Sequence, residues 1–211
     1  MATIAATDVK KLRDQTGAGM MDCKTALEEA GGNFEEATTI LRKKGLASAA
    51  KKAGRATSEG LIGHLVSADR SKGILVEVNC ESDFVARTDD FQTLVKDLAM
   101  HIAASDPRFI GREEVTERVL TEEREIYKQQ ARATGKPEAV IEKIVAGKME
   151  KYYQEFCLLE QPFVRDPAVP VRDIIHGVIA KTGENIRVRR FVRFVLGQPD
   201  ARMAEAARAA E

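Results

Sequence analysis

Ile74-Leu-Val-Glu-Val-Asn-Cys-Glu-Ser-Asp-Phe-Val-Ala-Arg-Thr-Asp-Asp-Phe91 passes from strand to helix. Ile74, Val76, Val78 and Cys80 alternate with Leu75, Glu77 and Asn79, a period of two rich in branched side chains that predicts a half-buried strand. Thr88, Asp89 and Asp90 then offer caps and negative charge, and Phe91, Leu94, Val95 and Leu98 repeat at helical spacing. Between the two lies Glu81-Ser82-Asp83-Phe84-Val85-Ala86, a junction with an acid beside a large aromatic. A connection held by rigid elements on both sides is a place where functional side chains are displayed.

Working outward, Gly60 to Asp69 reads as the preceding strand, joined through Asp69-Arg-Ser-Lys-Gly73 in an antiparallel hairpin. The helix after the junction runs to about Ala104, where Asp106-Pro107 stops it. Upstream, residues 1–45 predict a small helical module. Thr7 caps a helix bearing Val9 and Leu12 that ends at Gly17. Gly17-Ala-Gly19-Met-Met-Asp22 forms a tight loop, and a helix with Ala26, Leu27 and Ala30 ends at Gly31-Gly32. Asn33 and Glu36 open a third helix with a capping-box pattern; Phe34, Ala37, Ile40 and Leu41 face inward and Gly45 closes it. Residues 46–59 read as a basic linker with some helix, with Lys51, Lys52 and Arg55 on a solvated face.

Downstream, residues 112–159 predict a helical hairpin projecting as an arm. Val115, Val119 and Ile126, with Leu120 and Tyr127, stripe its first helix; Val145, Met149, Tyr152, Phe156 and Leu159 stripe its second. Thr134-Gly-Lys-Pro137 joins them, glycine ending one helix and proline fitting the first turn of the next. Gln161-Pro-Phe-Val and Pro167 to Pro170 break the pattern, Val171 to Lys181 is a helix ending at Gly183, and Asn185 to Gly197 is a last strand. From Pro199 the Ala, Arg and Glu composition predicts a frayed or weakly helical tail.

The 211 residues carry 33 Lys+Arg against 33 Asp+Glu, so global attraction to nucleic acid or anionic membrane is not the expected driving force. Cys23, Cys80 and Cys157 have neither disulfide nor zinc spacing and read as reduced, cytosolic thiols. No apolar run reaches the roughly 18 residues of a membrane span, and no signal-peptide pattern opens the chain.

Catalytic and metal motifs are equally scarce. GxxxxGK[ST], GxGxxG, HExxH and GxSxG do not occur in the sequence. A cysteine enzyme built on Cys80 and one of His64, His101 and His176 is outweighed by Cys80 as packing. In Ile186-Arg-Val-Arg-Arg-Phe-Val-Arg-Phe194, arginines and aromatics interleave as in an RNA-binding strand. An amphipathic strand with Ile186, Val188, Val192 and Phe194 inward explains it with less. Met20 and Met21 read equally well as core or as an adaptable contact patch, and Phe84 by itself reads as core.

Several stretches together resemble one family. Val9-Lys-Lys-Leu-Arg-Asp-Gln-Thr-Gly-Ala-Gly-Met-Met-Asp-Cys-Lys-Thr-Ala-Leu27 is similar to the N-terminal signature of elongation factor Ts, and Glu77-Val-Asn-Cys-Glu-Ser-Asp-Phe-Val-Ala86 to its second signature. His101-Ile-Ala-Ala-Ser105, Gly135-Lys-Pro137, Gln161-Pro-Phe-Val164 and the closing Arg-Phe-Val strand match in order. The resemblance implies an α+β fold: a ubiquitin-associated-like three-helix domain with its linker over 1–54, a core built from 55–111 and 161–198, a helical hairpin over 112–160 and a tail over 199–211.

It also implies a cytoplasmic guanine-nucleotide exchange factor, without cofactor, metal or catalytic residue of its own, that promotes GDP release from elongation factor Tu. On that resemblance Arg13, Met20, Met21 and Lys24 contact the partner's nucleotide-binding domain, and Asp83-Phe84, next to Ser82, enters near its magnesium and phosphate sites. The family's junction usually has threonine where this chain has Ser82, which keeps the hydroxyl. Long members duplicate the core; this chain has one copy, as do short members that dimerise. Val192 stands in the last strand where some of those carry a linking cysteine, so a non-covalent homodimer is implied. The bare helical module alone would also suit a free-standing adaptor for apolar protein surfaces.

Overall fold

The computed structural model describes residues 4–198. Its elements are α1 (Ala6–Thr16), α2 (Met20–Glu29), α3 (Phe34–Lys52), β1 (Glu59–Val66), β2 (Lys72–Cys80), α4 (Asp83–Ala86), α5 (Asp89–Ser105), α6 (Glu117–Arg132), α7 (Glu138–Phe156), β3 (Pro162–Phe163), β4 (Asp166–Pro170), α8 (Val171–Thr182) and β5 (Arg187–Val195). The strands form one sheet in the order β1-β2-β5 and a small antiparallel β3-β4 pair. The fold is therefore α+β. The described residues divide into two compact units, one of residues 4–62, 77–95 and 173–189 and one of 63–76, 96–172 and 190–198. The predicted tail lies outside the described residues.

In the first unit, Val9, Leu12, Cys23, Ala26, Leu27, Ala30, Ala37 and Leu41 close a core among α1, α2 and α3, with Phe34 and Ile40 packed against it. Gly17 ends α1 at φ 67°, its N–H donating to the Arg13 carbonyl at 2.7 Å. That left-handed backbone favours glycine. Asn33 caps α3 by accepting from the N–H groups of Glu35 and Glu36.

Three local expectations need correction here. Thr7 lies inside α1, because the chain turns helical earlier and the Asp8 and Val9 N–H groups already reach the Ala5 carbonyl. Met20, Met21 and Asp22 form the first turn of α2, so the loop is only 17–19. Gly45 does not end α3, which continues through most of the expected linker to Lys52. A Cβ at Gly45 would meet that of Ala180 on α8 at 3.6 Å, so this glycine permits close helix approach rather than marking an end.

The sheet follows the predicted alternation where it is best supported: Ile74, Val76, Val78 and Cys80 are all buried, and so are Phe91, Leu94, Val95 and Leu98 of α5. In the β1–β2 turn the Asp69 carboxylate accepts from the Ser67 and Ser71 hydroxyls and from the Ser71 N–H. Those bonds, the Ser67 hydroxyl foremost, hold its pKa down at about 2.

In β5 the prediction holds only in part. Ile186 and Val188 are buried, yet Val192 and Phe194 are exposed, while Phe191, Arg193 and Val195 are the less exposed set. The alternation slips by one residue between Val188 and Phe191, which turns every later side chain to the other face. Arg193 takes an inward position by pairing with Asp106.

In the second unit, α6 and α7 share their own core of Val115, Leu120, Ala131, Ile141, Val145, Met149, Tyr152 and Cys157. Ile126 is not on that stripe and is exposed; Leu120 and Ala131 carry the inward face instead. Pro137 sits at the N-cap of α7. At the hairpin's base, Arg112 reaches Glu150 at 2.7 Å and Glu160 at 3.0 Å, with Arg172 also on Glu160. The paired guanidinium groups, that of Arg112 foremost, hold the Glu160 carboxyl below the usual carboxylate range.

Residues 161–170 form the β3-β4 ladder that proline had argued against. His101 holds it. His101 Nδ1 accepts from the Val164 N–H at 3.2 Å, so Nε2 carries the proton toward Gln161 Oε1 at 2.9 Å. Gln161 Nε2 then donates to the carbonyls of Ser105 and Glu155.

Candidate functional site

A single helical turn cannot hold itself together, and α4 is only Asp83–Ala86. It is fixed from both ends. Ser82 is its N-cap, the hydroxyl accepting from the Val85 N–H at 3.4 Å. Val85 and Ala86 are buried beneath, and the Thr88 hydroxyl donates to the Val85 carbonyl at 2.7 Å. The consequence is that Phe84 points away from the packed side and is 77% exposed. Asp83 beside it is also exposed and pairs with Arg87 at 2.7 Å, one turn on.

This settles the reading of Phe84 that the sequence left open: it is not core. An exposed phenylalanine on a capped, immobilised turn keeps a large apolar area in water. Burying such a side chain gains about 1.5–3 kcal/mol, a gain that the described residues of this chain do not take.

The module supplies a second exposed group. Met20 (44% exposed) and Met21 (70% exposed) open α2, and Lys24 follows on the same side at i+4 and i+3, within 3.9 Å of Glu28. Arg13 is exposed in the last turn of α1. The module's core is filled without the methionines, so they too are surface rather than packing.

Side chains that sequence reasoning missed hold these groups in place. Lys181 on α8 lies over Gly17, where an added Cβ would meet its Cε, and donates to Asp90 at 3.1 Å. It therefore ties the α1–α2 loop to the start of α5, just past the junction. Arg42 on α3 pairs with Asp173 on α8. Glu184 reaches the junction itself, its carboxylate accepting from the backbone of Glu81 and Ser82 and from the Ser82 hydroxyl. An ion pair or hydrogen bond between residues 91 to 131 positions apart leaves no local pattern to read.

Cys80, whose thiol donates to the Ser82 carbonyl at 3.1 Å, is fully buried, and burial pushes its pKa up to about 11. A thiol held in that state is a poor nucleophile. Among the described residues no group of three or more His, Cys, Asp or Glu side chains is placed to hold a metal ion. Nor is any helix there long and apolar enough to cross a membrane.

The arrangement is that of an α+β protein displaying apolar side chains on immobilised helix starts. The family model described as Elongation factor TS matches residues 2–198. The chain is 58% identical over 197 residues to the elongation factor Ts of Solibacter usitatus (strain Ellin6076), covering 93% of each chain. It is 58% identical over 195 residues to that of Moorella thermoacetica, covering 92% of this chain and 96% of the relative. With that of Geobacter sulfurreducens it shares 56% identity over 196 residues, 93% and 91% of the two chains. The chain belongs to the elongation factor Ts family, and membership implies a nucleotide exchange factor for elongation factor Tu in translation.

Proposed function

We propose that this chain speeds GDP release from elongation factor Tu by pressing Phe84 and Asp83 into the partner near its magnesium and phosphate sites. In this reading Arg13, Met20, Met21 and Lys24 hold the partner's nucleotide-binding domain. The observation that carries it is Phe84, 77% exposed on a turn fixed at both ends. No covalent chemistry is required of this chain. It binds the opened partner more tightly than the closed, GDP-bound one, and linkage then weakens GDP binding by the same factor. Phe84 displaces segments that hold the partner's magnesium, and Asp83 adds a negative charge there. Loss of that metal removes a counter-charge to the phosphates, and GDP leaves.

The three-helix module acts as a ubiquitin-associated-like contact domain, and α6–α7 as a protruding coiled-coil arm. Two copies of the chain assemble through the sheet. Val66, Leu75, Val192, Phe194 and Leu196 are all exposed, an apolar set whose burial favours association. Zero net charge on the chain leaves no strong repulsion between copies. The factor acts in the cytoplasm, with neither nucleic acid nor membrane as a direct partner. The test is release of labelled GDP from purified elongation factor Tu with and without the protein. Acceleration by wild type and its loss in Phe84→Ala are expected; release at the wild-type rate with Phe84→Ala refutes the wedge.

A further inference from the structure

We infer that Glu184, in the turn between α8 and β5, is a positioning residue that aims Phe84 at the partner. The inference deepens the proposed function and rests on it. Glu184 is remote in sequence from the junction, yet its carboxylate takes three of the junction's donors. Oε2 accepts from the N–H groups of Glu81 at 3.1 Å and Ser82 at 3.0 Å, and Oε1 accepts the Ser82 hydroxyl at 2.6 Å.

The last bond fixes what Ser82 can do. A hydroxyl has one proton and two lone pairs. With the proton committed to Glu184, a lone pair is left facing α4, where it accepts from the Val85 N–H. The cap of the turn that carries Phe84 is therefore oriented by Glu184.

The clamp is reciprocal. Glu81 Oε1 accepts from the Asn185 N–H at 2.6 Å and from Arg55 at 3.5 Å, and Asn185 Nδ2 donates to the carbonyls of Ala53 and Arg55. One turn, Glu184-Asn185, thus holds both the junction and the segment leading out of α3. An acid in a solvated turn needs none of this; an acid that takes two backbone N–H groups and a hydroxyl does work on the geometry of its neighbour. Charge-assisted bonds of this kind are the stronger sort.

The experiment measures GDP release from elongation factor Tu against exchange-factor concentration for wild type, Glu184→Ala, Phe84→Ala and the double variant, with thermal unfolding of each. Expected for Glu184→Ala is a saturating release rate lowered about tenfold, the scale of losing bonds to a charged acceptor, with the half-saturating concentration changed less than about twofold. In the Phe84→Ala background the same substitution should have almost no further effect, because there is no aromatic left to aim. A folded Glu184→Ala protein with a wild-type saturating rate overturns the inference, and so does an equal loss in both backgrounds. If Glu184→Ala does not fold, Glu184→Gln, of the same shape but with an amide N–H facing the junction's donors, is read by the same criteria. A normal rate for Phe84→Ala alone sinks the wedge reading instead, so the two failures are told apart.

Discussion

Neighbouring residues on α4 have opposite assignments. Phe84 is exposed and Val85 is buried, so their substitutions should separate function from stability. Phe84→Ala should leave unfolding free energy within about 0.5 kcal/mol of wild type, as for other exposed positions. Val85→Ala should cost roughly 1–2 kcal/mol through the lost contacts and cavity. Chemical denaturation of the two variants checks this, and a large stability loss in Phe84→Ala would mean that the ring packs at home. Met21→Ala should weaken partner association by about 1–2 kcal/mol, as an anchor residue does, read by titration calorimetry, with stability unchanged. The pattern marked these positions as candidates, and only the family resemblance gave them roles. On pattern alone Phe84 looked like core, because a phenylalanine just past a buried strand has no local mark of its direction. That direction is set by Ser82 and Glu184, and Glu184 lies about 100 positions away.

Among the elements, those with a repeating signal were legible and those fixed by distant partners were not. β2 and α5 follow their periods of two and near four because one face of each is buried throughout. The β3-β4 pair was missed: its prolines argue against strand, and its geometry comes from His101 and Gln161, 60 residues apart. Two stretches that resemble family motifs, at 101–105 and 161–164, thus meet in a hydrogen-bond network rather than at a binding surface.

That network predicts a pH dependence. His101 is fully buried, and burial lowers its pKa from the ordinary value, only partly offset by Gln161. A proton added at Nδ1 would also face the Val164 N–H, donor against donor. The unfolded chain then binds a proton at about pH 6.5 that the folded one refuses. Stability is full above that pH and falls as the pH drops from there toward the lower folded value. An NMR titration of the His101 ring should show a midpoint below about 6.5; a midpoint at or above it refutes the assignment. In the first unit, Asn33→Ala removes the acceptor for two N–H groups at the start of α3 and should cost about 1 kcal/mol, seen as a lowered denaturation midpoint.

At the scale of the whole molecule, the slip in β5 supplies the exposed apolar face on which the proposed association of two copies rests. Had the alternation run unbroken, Val192 and Phe194 would be inward and the strand's outer face would carry arginines, a surface that repels its own copy. With the slip, Val192 and Phe194 are exposed instead, and Arg193 turns inward to Asp106. Gly73 on β2 lies beside Phe194, 3.9 Å separating an added Cβ from the phenylalanine's own, so the ring is flanked by no competing side chain there. Leu75 on the same strand is exposed too. Water contact with these side chains is a standing cost at about 25 cal/mol per Å² of apolar area, and a second copy presenting the same set relieves it on both sides, as a two-fold interface requires. Phe194→Asp places a charge at the centre of that patch without touching the buried face of the strand. It should convert the protein to monomers in light scattering while leaving each chain folded by circular dichroism. A wild-type protein that scatters as a monomer at tens of micromolar, or a Phe194→Asp variant that still scatters as a dimer, removes the sheet from the association.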